Sequence, residues 1–224
     1  MMLRRRRLCS CLSACAAWGL LAVLLLPRLA VPQTADPISF LWAFGSRVGA
    51  TATTAPGPLT QDTVLHTGDQ FKMLIQLQRP CFVYVLYHNA EQSVDLLFPS
   101  TLQQFETDYV LGKRYALPPN EDWYTLTPPA GRETIYILAS ATRLTALEAL
   151  LTAAAAATPA EQSSLTARIL AEIRALRPGR PVATGGERPV RIGGRVRGTT
   201  DLGDFAVEIH APTFYSKSVT IEHR

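Results

Sequence analysis

A chain of 224 residues, 47% hydrophobic and 18% charged, can fill one core but is too short for two comfortable globular domains once a leader is set aside. Its formal charge of +4 is concentrated at the start: of 22 basic residues, Arg4, Arg5, Arg6, Arg7 and Arg28 precede Asp36, leaving 17 against all 18 acidic ones. A near-neutral remainder excludes nucleic-acid binding driven by bulk charge, and no nucleic-acid partner is expected.

Residues 1–35 have a basic start, an apolar stretch from Leu12 to Leu26 and a polar exit from Gln33 to Asp36. That order is the pattern of a secretory signal. A membrane-spanning helix needs about 20 residues; Leu29 to Val31 extend the stretch if Arg28 snorkels, so a retained hydrophobic anchor helix through residues 12–31 is the second reading. Either way the four arginines hold their end in the cytoplasm, and the rest is expected to be extracytoplasmic, in the periplasm or cell envelope. Leu12-Ser13-Ala14-Cys15 is similar to a lipobox but precedes most of the apolar stretch, which argues against lipidation. Cys9, Cys11 and Cys15 also lie in the leader, so Cys81 stands alone in the remainder without an internal disulfide. Its setting, RPCFVYVLY, predicts a buried core thiol.

Residues 36–58 read as a linker. Phe40, Trp42 and Phe44 are expected to dock on the domain or meet a membrane interface, and an Ala/Thr/Gly/Pro-rich stretch follows. The domain is expected to span residues 59–224. Phe71, Met73, Ile75 and Leu77 alternate with Lys72, Gln76 and Gln78, the pattern of a half-buried strand with its polar side to solvent. CFVYVLYHN is apolar on both faces and predicts a central strand, joined through Asn89–Gln92 to SVDLLFP as a hairpin. Further strands are predicted over 113–117, 123–127 and 133–139, with proline-rich breaks between them.

A helical hairpin over 143–177 then interrupts the pattern. Thr158, Pro159 and Glu161 give the second helix an N-cap, a proline at its first position and a capping box. Leu165, Ile169, Ile173 and Leu176 share one of its faces. The Arg-bearing stretch 185–198 is loop-like with one or two short strands. FAVEIHA and SVTIEHR close the chain as strands, with Val207, Ile209, Val219 and Ile221 inward. The expected fold is mainly β, an antiparallel sandwich-like domain with an inserted two-helix hairpin.

A series of short segments in residues 65–143 resembles the bacterial domain of unknown function 4384. It comprises Leu65-His66-Thr67-Gly68-Asp69, Tyr84-Val85-Leu86-Tyr87, Leu96-Leu97-Phe98-Pro99-Ser100, Tyr115-Ala116-Leu117-Pro118, Pro129-Ala130-Gly131-Arg132-Glu133 and Ile135-Tyr136-Ile137-Leu138-Ala139-Ser140. The resemblance covers about a third of the chain. It implies a β-rich module of exported or surface proteins, sometimes joined to caspase-like peptidase or signalling domains, with no catalytic residue to carry over. Physically, Gly68-Asp69 suits a turn closed by an Asx hydrogen bond, with an exposed carboxylate that can also serve a ligand. Phe98 is expected in the core with Pro99 ending its strand, and Gly131 is expected to supply a positive φ.

No sequence motif marks a catalytic centre, metal site or cofactor. His66, His88, His210 and His223 lack metal-ligand spacing, and no G-x-S-x-G elbow or phosphate-binding glycine loop occurs. Cys81 and His88 lie roughly 20 Å apart on an extended strand, too far for a nucleophile and its base. Glu121 and Asp122 beside Trp123 and Tyr124 have the composition of a sugar site, but neighbours on an extended chain point in opposite directions. The leading expectation is a non-enzymatic module that binds a protein or cell-wall partner, with Asp69, His88, Glu121, Asp122 and Trp123 as candidate binding residues. The alternatives are an extracytoplasmic hydrolase assembled from Asp69, His88, Glu121 and Asp122, or a structural envelope component that associates through its Ala-rich helices and the aromatic segment near Trp42.

Overall fold

Alternating apolar side chains bury one face of a strand, and two such faces bury each other. A computed structural model describes residues 38–49, 55–61, 63–176, 186–192 and 202–224; the leader, with its signal and anchor readings, lies outside them. The strands are β1 (Ile38–Arg47), β2 (Gly57–Pro58), β3 (Thr63–Leu65), β4 (Gln70–Leu77), β5 (Phe82–His88), β6 (Val94–Phe98), β7 (Arg114–Leu117), β8 (Tyr124–Thr125), β9 (Gly131–Ser140), β10 (Glu187–Val190), β11 (Ala206–Ala211) and β12 (Phe214–His223). Among the described residues three α-helices intervene, a single turn α1 (Gln104–Thr107) and the hairpin α2 (Thr145–Ala155) and α3 (Pro159–Ala175), with a 3-10 turn at Leu202–Phe205. None of the helices among the described residues is long and apolar enough to cross a membrane.

The strands form two sheets. The larger runs β10-β11-β1-β4-β7, with β2 added to β1 and β8 to β4; the smaller runs β3-β12-β9-β5-β6. Their facing sides share one core. Phe40, Trp42 and Phe44 of β1 and Met73, Ile75 and Leu77 of β4 meet Val83 and Val85 of β5, Ile135 and Ile137 of β9, and Val219 and Ile221 of β12. The fold is therefore mainly β, as the alternation predicts. One pair departs from an all-antiparallel arrangement, since β3 runs parallel to β12 and makes the smaller sheet mixed.

The assignment of 36–58 to a linker is corrected over its first half. Ile38–Arg47 is an internal strand, paired with β11 on one side and β4 on the other. Its register sets Phe40 opposite Leu77 and Ile209, and Trp42 opposite Ile75 and Val207. Cross-strand neighbours on one buried face stabilise a sheet, and the aromatic patch that read as a docking segment is part of the core. Its other face is also covered, because Ala43 packs with Leu74, Leu202 and Ala206. Gly45 permits that cover: a Cβ there would lie 2.3 Å from Leu202 Cδ2.

The outer face of the smaller sheet is closed by the helical hairpin. Tyr84, Leu86, Leu138 and Phe214 pack under Leu147, Leu151, Ile169 and Ile173. The capping box at Thr158 and Glu161 is present, with Pro159 opening the helix. Thr158→Ala is expected to cost about 1 kcal/mol, read as a small fall in melting temperature.

Gly131 does not supply the expected positive φ. It opens β9, and an added Cβ would meet the Ala90 Cβ at 3.0 Å, so close packing is what favours glycine there. Among the described glycines, positive φ occurs instead at Gly49, at Gly68 before Asp69, and at Gly112.

Candidate functional site

Sheet edges are where a sandwich leaves backbone groups unpaired. The smaller sheet ends on β6 and the larger on β7, and a cleft of about 900 Å³ lies along both edges. Leu96, Leu97 and Phe98 of β6 line one side, and the whole of β7 from Arg114 to Leu117 lines another. In β7, Tyr115 and Leu117 turn into the core while Arg114 and Ala116 are only half-buried. Among the described residues β7 pairs with β4 alone.

The charged groups at the cleft are matched in sign. Lys113 Nζ lies 2.6 Å from both carboxylate oxygens of Asp108, and Arg114 Nε donates to Gln76 Oε1 at 3.2 Å. Between Asp108 and Lys113, Val110 and Leu111 are about half exposed, at 54% and 50%. Two bonds hold this apolar knuckle in place. The Val110 N–H donates to the Tyr115 hydroxyl at 2.7 Å, and the Gly112 N–H to the Leu77 carbonyl at 2.8 Å.

Pro119, Asn120 and Glu121 form a further wall, and Lys72 fixes their loop. The alternation along β4 predicts Lys72 on the solvated side, yet it is 1% exposed. Its ammonium donates to the carbonyls of Asn120 at 2.6 Å and Asp122 at 2.7 Å. Burial lowers its pKa; Asp122 and Glu121 oppose that shift and Arg47 adds to it. Trp123 covers the site, with the Arg47 guanidinium 4.0 Å from its ring centroid. A buried charge is tolerated when its donors are satisfied, here by backbone carbonyls.

Three of the predicted residues, Glu121, Asp122 and Trp123, thus share the Lys72 loop, with Glu121 on the cleft and both carboxylates exposed. Asp69 sits in the β3–β4 turn, and its carboxylate is buried, 4% exposed for the residue. It accepts the N–H groups of Gly49 and His66, each at 2.8 Å, so the exposed carboxylate expected there is instead a clamp joining β1's exit to the turn. His88 ends β5, where burial lowers its pKa against the opposing bond from Gln92. Cys81 is buried beside the Ser39 carbonyl, and desolvation pushes its thiol up to about 11. Among the described residues no group of three or more His, Cys, Asp or Glu is placed to hold a metal.

Two polar clusters escaped the sequence reading. Arg143 grips Glu148 through two bonds, Nε to Oε1 at 2.6 Å and Nη2 to Oε2 at 2.7 Å. The Tyr84 hydroxyl also donates to Glu148 and accepts the Leu144 N–H. At one end of the sandwich, Thr67, His223, Glu133 and Tyr87 are linked by hydrogen bonds. Phase carries the signal for the second cluster: Glu133 repeats with Ile135 and Ile137, and His223 with Val219 and Ile221, so both are polar residues at inward positions. Polar groups in phase with a core need partners inside it.

No curated protein and no solved structure matches the chain. Residues 64–143, which carry β4 to β9, match the model of one family, described as Domain of unknown function (DUF4384).

Proposed function

We propose that the protein is a non-enzymatic binding module of the cell envelope that takes an extended polypeptide segment along the β7 edge. The observation that carries this reading is the cleft of about 900 Å³ beside that edge. Its size falls in the roughly 300–1,000 Å³ range of ligand sites. An edge strand supplies main-chain donors and acceptors to an incoming strand, while flanking apolar and charged side chains select its sequence. Leu96 and Leu97 offer the apolar part, with the exposed Val110 and Leu111 on the adjoining loop, and the charges of Asp108, Lys113 and Glu121 suit a peptide of mixed charge. Delivery outside the cytoplasm is supported by the arginine-led apolar leader, cleaved as a signal or kept as an anchor through residues 12–31.

Random peptides displayed on phage and selected on the leaderless protein test the site. Ala116→Trp, which fills the cleft from β7, is expected to weaken selected peptides at least about tenfold, or ~1.4 kcal/mol. Peptides that bind this variant as well as the parent sink the reading. Delivery is tested separately by an alkaline phosphatase fusion after Arg224, which is expected to be active; an inactive fusion with an active cytoplasmic reporter refutes export.

A further inference from the structure

Thr67, His223, Glu133 and Tyr87 come from the β3–β4 turn, β12, β9 and β5 and form one hydrogen-bonded chain. Thr67 Oγ1 lies 2.9 Å from His223 Nε2, and His223 Nδ1 lies 3.0 Å from Glu133 Oε1. The Tyr87 hydroxyl donates to the second carboxylate oxygen, Oε2. The imidazole and carboxylate side chains are 0% and 3% exposed, whereas Thr67 is open to solvent.

The proton positions follow from the partners. Burial, and then the Glu133 carboxylate, push the pKa of Tyr87 up, so the phenol keeps its proton and Glu133 acts as acceptor. In a neutral imidazole, donation from Nδ1 to the Glu133 carboxylate leaves the Nε2 lone pair facing the Thr67 hydroxyl. A hydroxyl, a base within hydrogen-bond reach and a third group that orients the base are the parts that activate an oxygen nucleophile.

The N–H groups of Thr67, Gly68 and Asp69 already donate to the carbonyls of Arg224, Leu126 and His66. They cannot stabilise an oxyanion, a contribution of about 10²–10³ in rate for a single donor. A positioned base still contributes about 10²–10⁴. The balance favours a hydroxyl that reacts once and holds what it receives.

We propose that Thr67 is a base-activated acceptor that takes an acyl group from an activated ester. Its Oγ1 bonds to the acyl carbon as its proton passes to His223 Nε2. The donor's carbon–oxygen bond breaks with its electron pair, and the departing oxygen collects that proton. With the turn's own N–H groups engaged, the new ester gains no oxyanion stabilisation from them, and its hydrolysis is slow.

The test treats the protein with p-nitrophenyl acetate and maps hydroxylamine-sensitive acetyl groups by peptide mass spectrometry. Thr67 is expected to be acetylated about 10²-fold or more faster than exposed Thr60, Thr107 and Thr127. Thr67→Ser retains the reaction at that position and Thr67→Val abolishes it, both leaving the His223–Glu133 pair in place. His223→Gln removes the acceleration; because that change alters a buried group, the contrast between Thr67→Ser and Thr67→Val stands as an independent check. Equal acetylation of all exposed threonines, or acetylation at position 67 that survives Thr67→Val, overturns the proposal.

Discussion

A fragment limited to residues 64–143 is expected to be unfolded, while a chain beginning at Thr34 folds and melts cooperatively. The matched segment holds β4 to β9 but neither β1 nor β12, and those two strands are the main neighbours of β4 and β9. Without them the inward faces of Met73, Ile75, Leu77, Ile135 and Ile137 lie open to water. Each such side chain loses up to roughly 1.5–3 kcal/mol of burial; the five together are comparable to the about 5–15 kcal/mol that holds a typical domain. Circular dichroism and amide dispersion in NMR distinguish the two outcomes. A dispersed spectrum and a sharp melt from the 64–143 fragment would show that the remaining strands are accessories.

Replacing Glu148 with alanine is expected to destabilise the domain by roughly 3 kcal/mol, where the costs of a stranded buried hydroxyl and a broken buried ion pair overlap. The carboxylate holds Arg143 and Tyr84 together where α2 meets the smaller sheet, and its side chain is 11% exposed. For a domain of this size the loss corresponds to a fall of roughly 6–12 °C in melting temperature. The network also gives stability a pH dependence. Burial alone raises the Glu148 pKa, but the bonds from Arg143 and Tyr84 and the Arg143 charge outweigh it and hold the folded carboxyl below 4.5. A depressed carboxyl contributes its stability above the unfolded-state pKa and loses it as pH falls through the folded one. Glu148→Gln should accordingly flatten the acid limb of a stability–pH curve below about pH 4.5. An unchanged acid limb would remove Glu148 from that role.

The candidate site was legible only in pieces. Glu121, Asp122 and Trp123 stand out by composition, and they do share a loop at the cleft. Nothing in the local pattern reveals that Lys72, 48 positions before Asn120, ties that loop down. A lysine alternating with apolar residues reads as solvated because isolated charge is costly to bury; only the arriving carbonyls reverse that expectation. Asp69 misled in the same direction, since the N–H of Gly49 comes from 20 positions away. Phase was informative for Glu133 and His223, but their pairing across 90 positions required the β9–β12 register.

The order of apolar and polar residues was enough to set the strands of β4, β5 and β9, the β5–β6 hairpin and the capped helix α3, because each depends on neighbours within a few positions. Where those strands go was decided by tertiary structure alone: β1 entered between β4 and β11, β3 joined β12 in parallel, and the edges of β6 and β7 met along a cleft. Periodicity specifies which face of a strand seeks cover, whereas the identity of the cover depends on which distant face fits it, and a one-dimensional pattern does not record that choice.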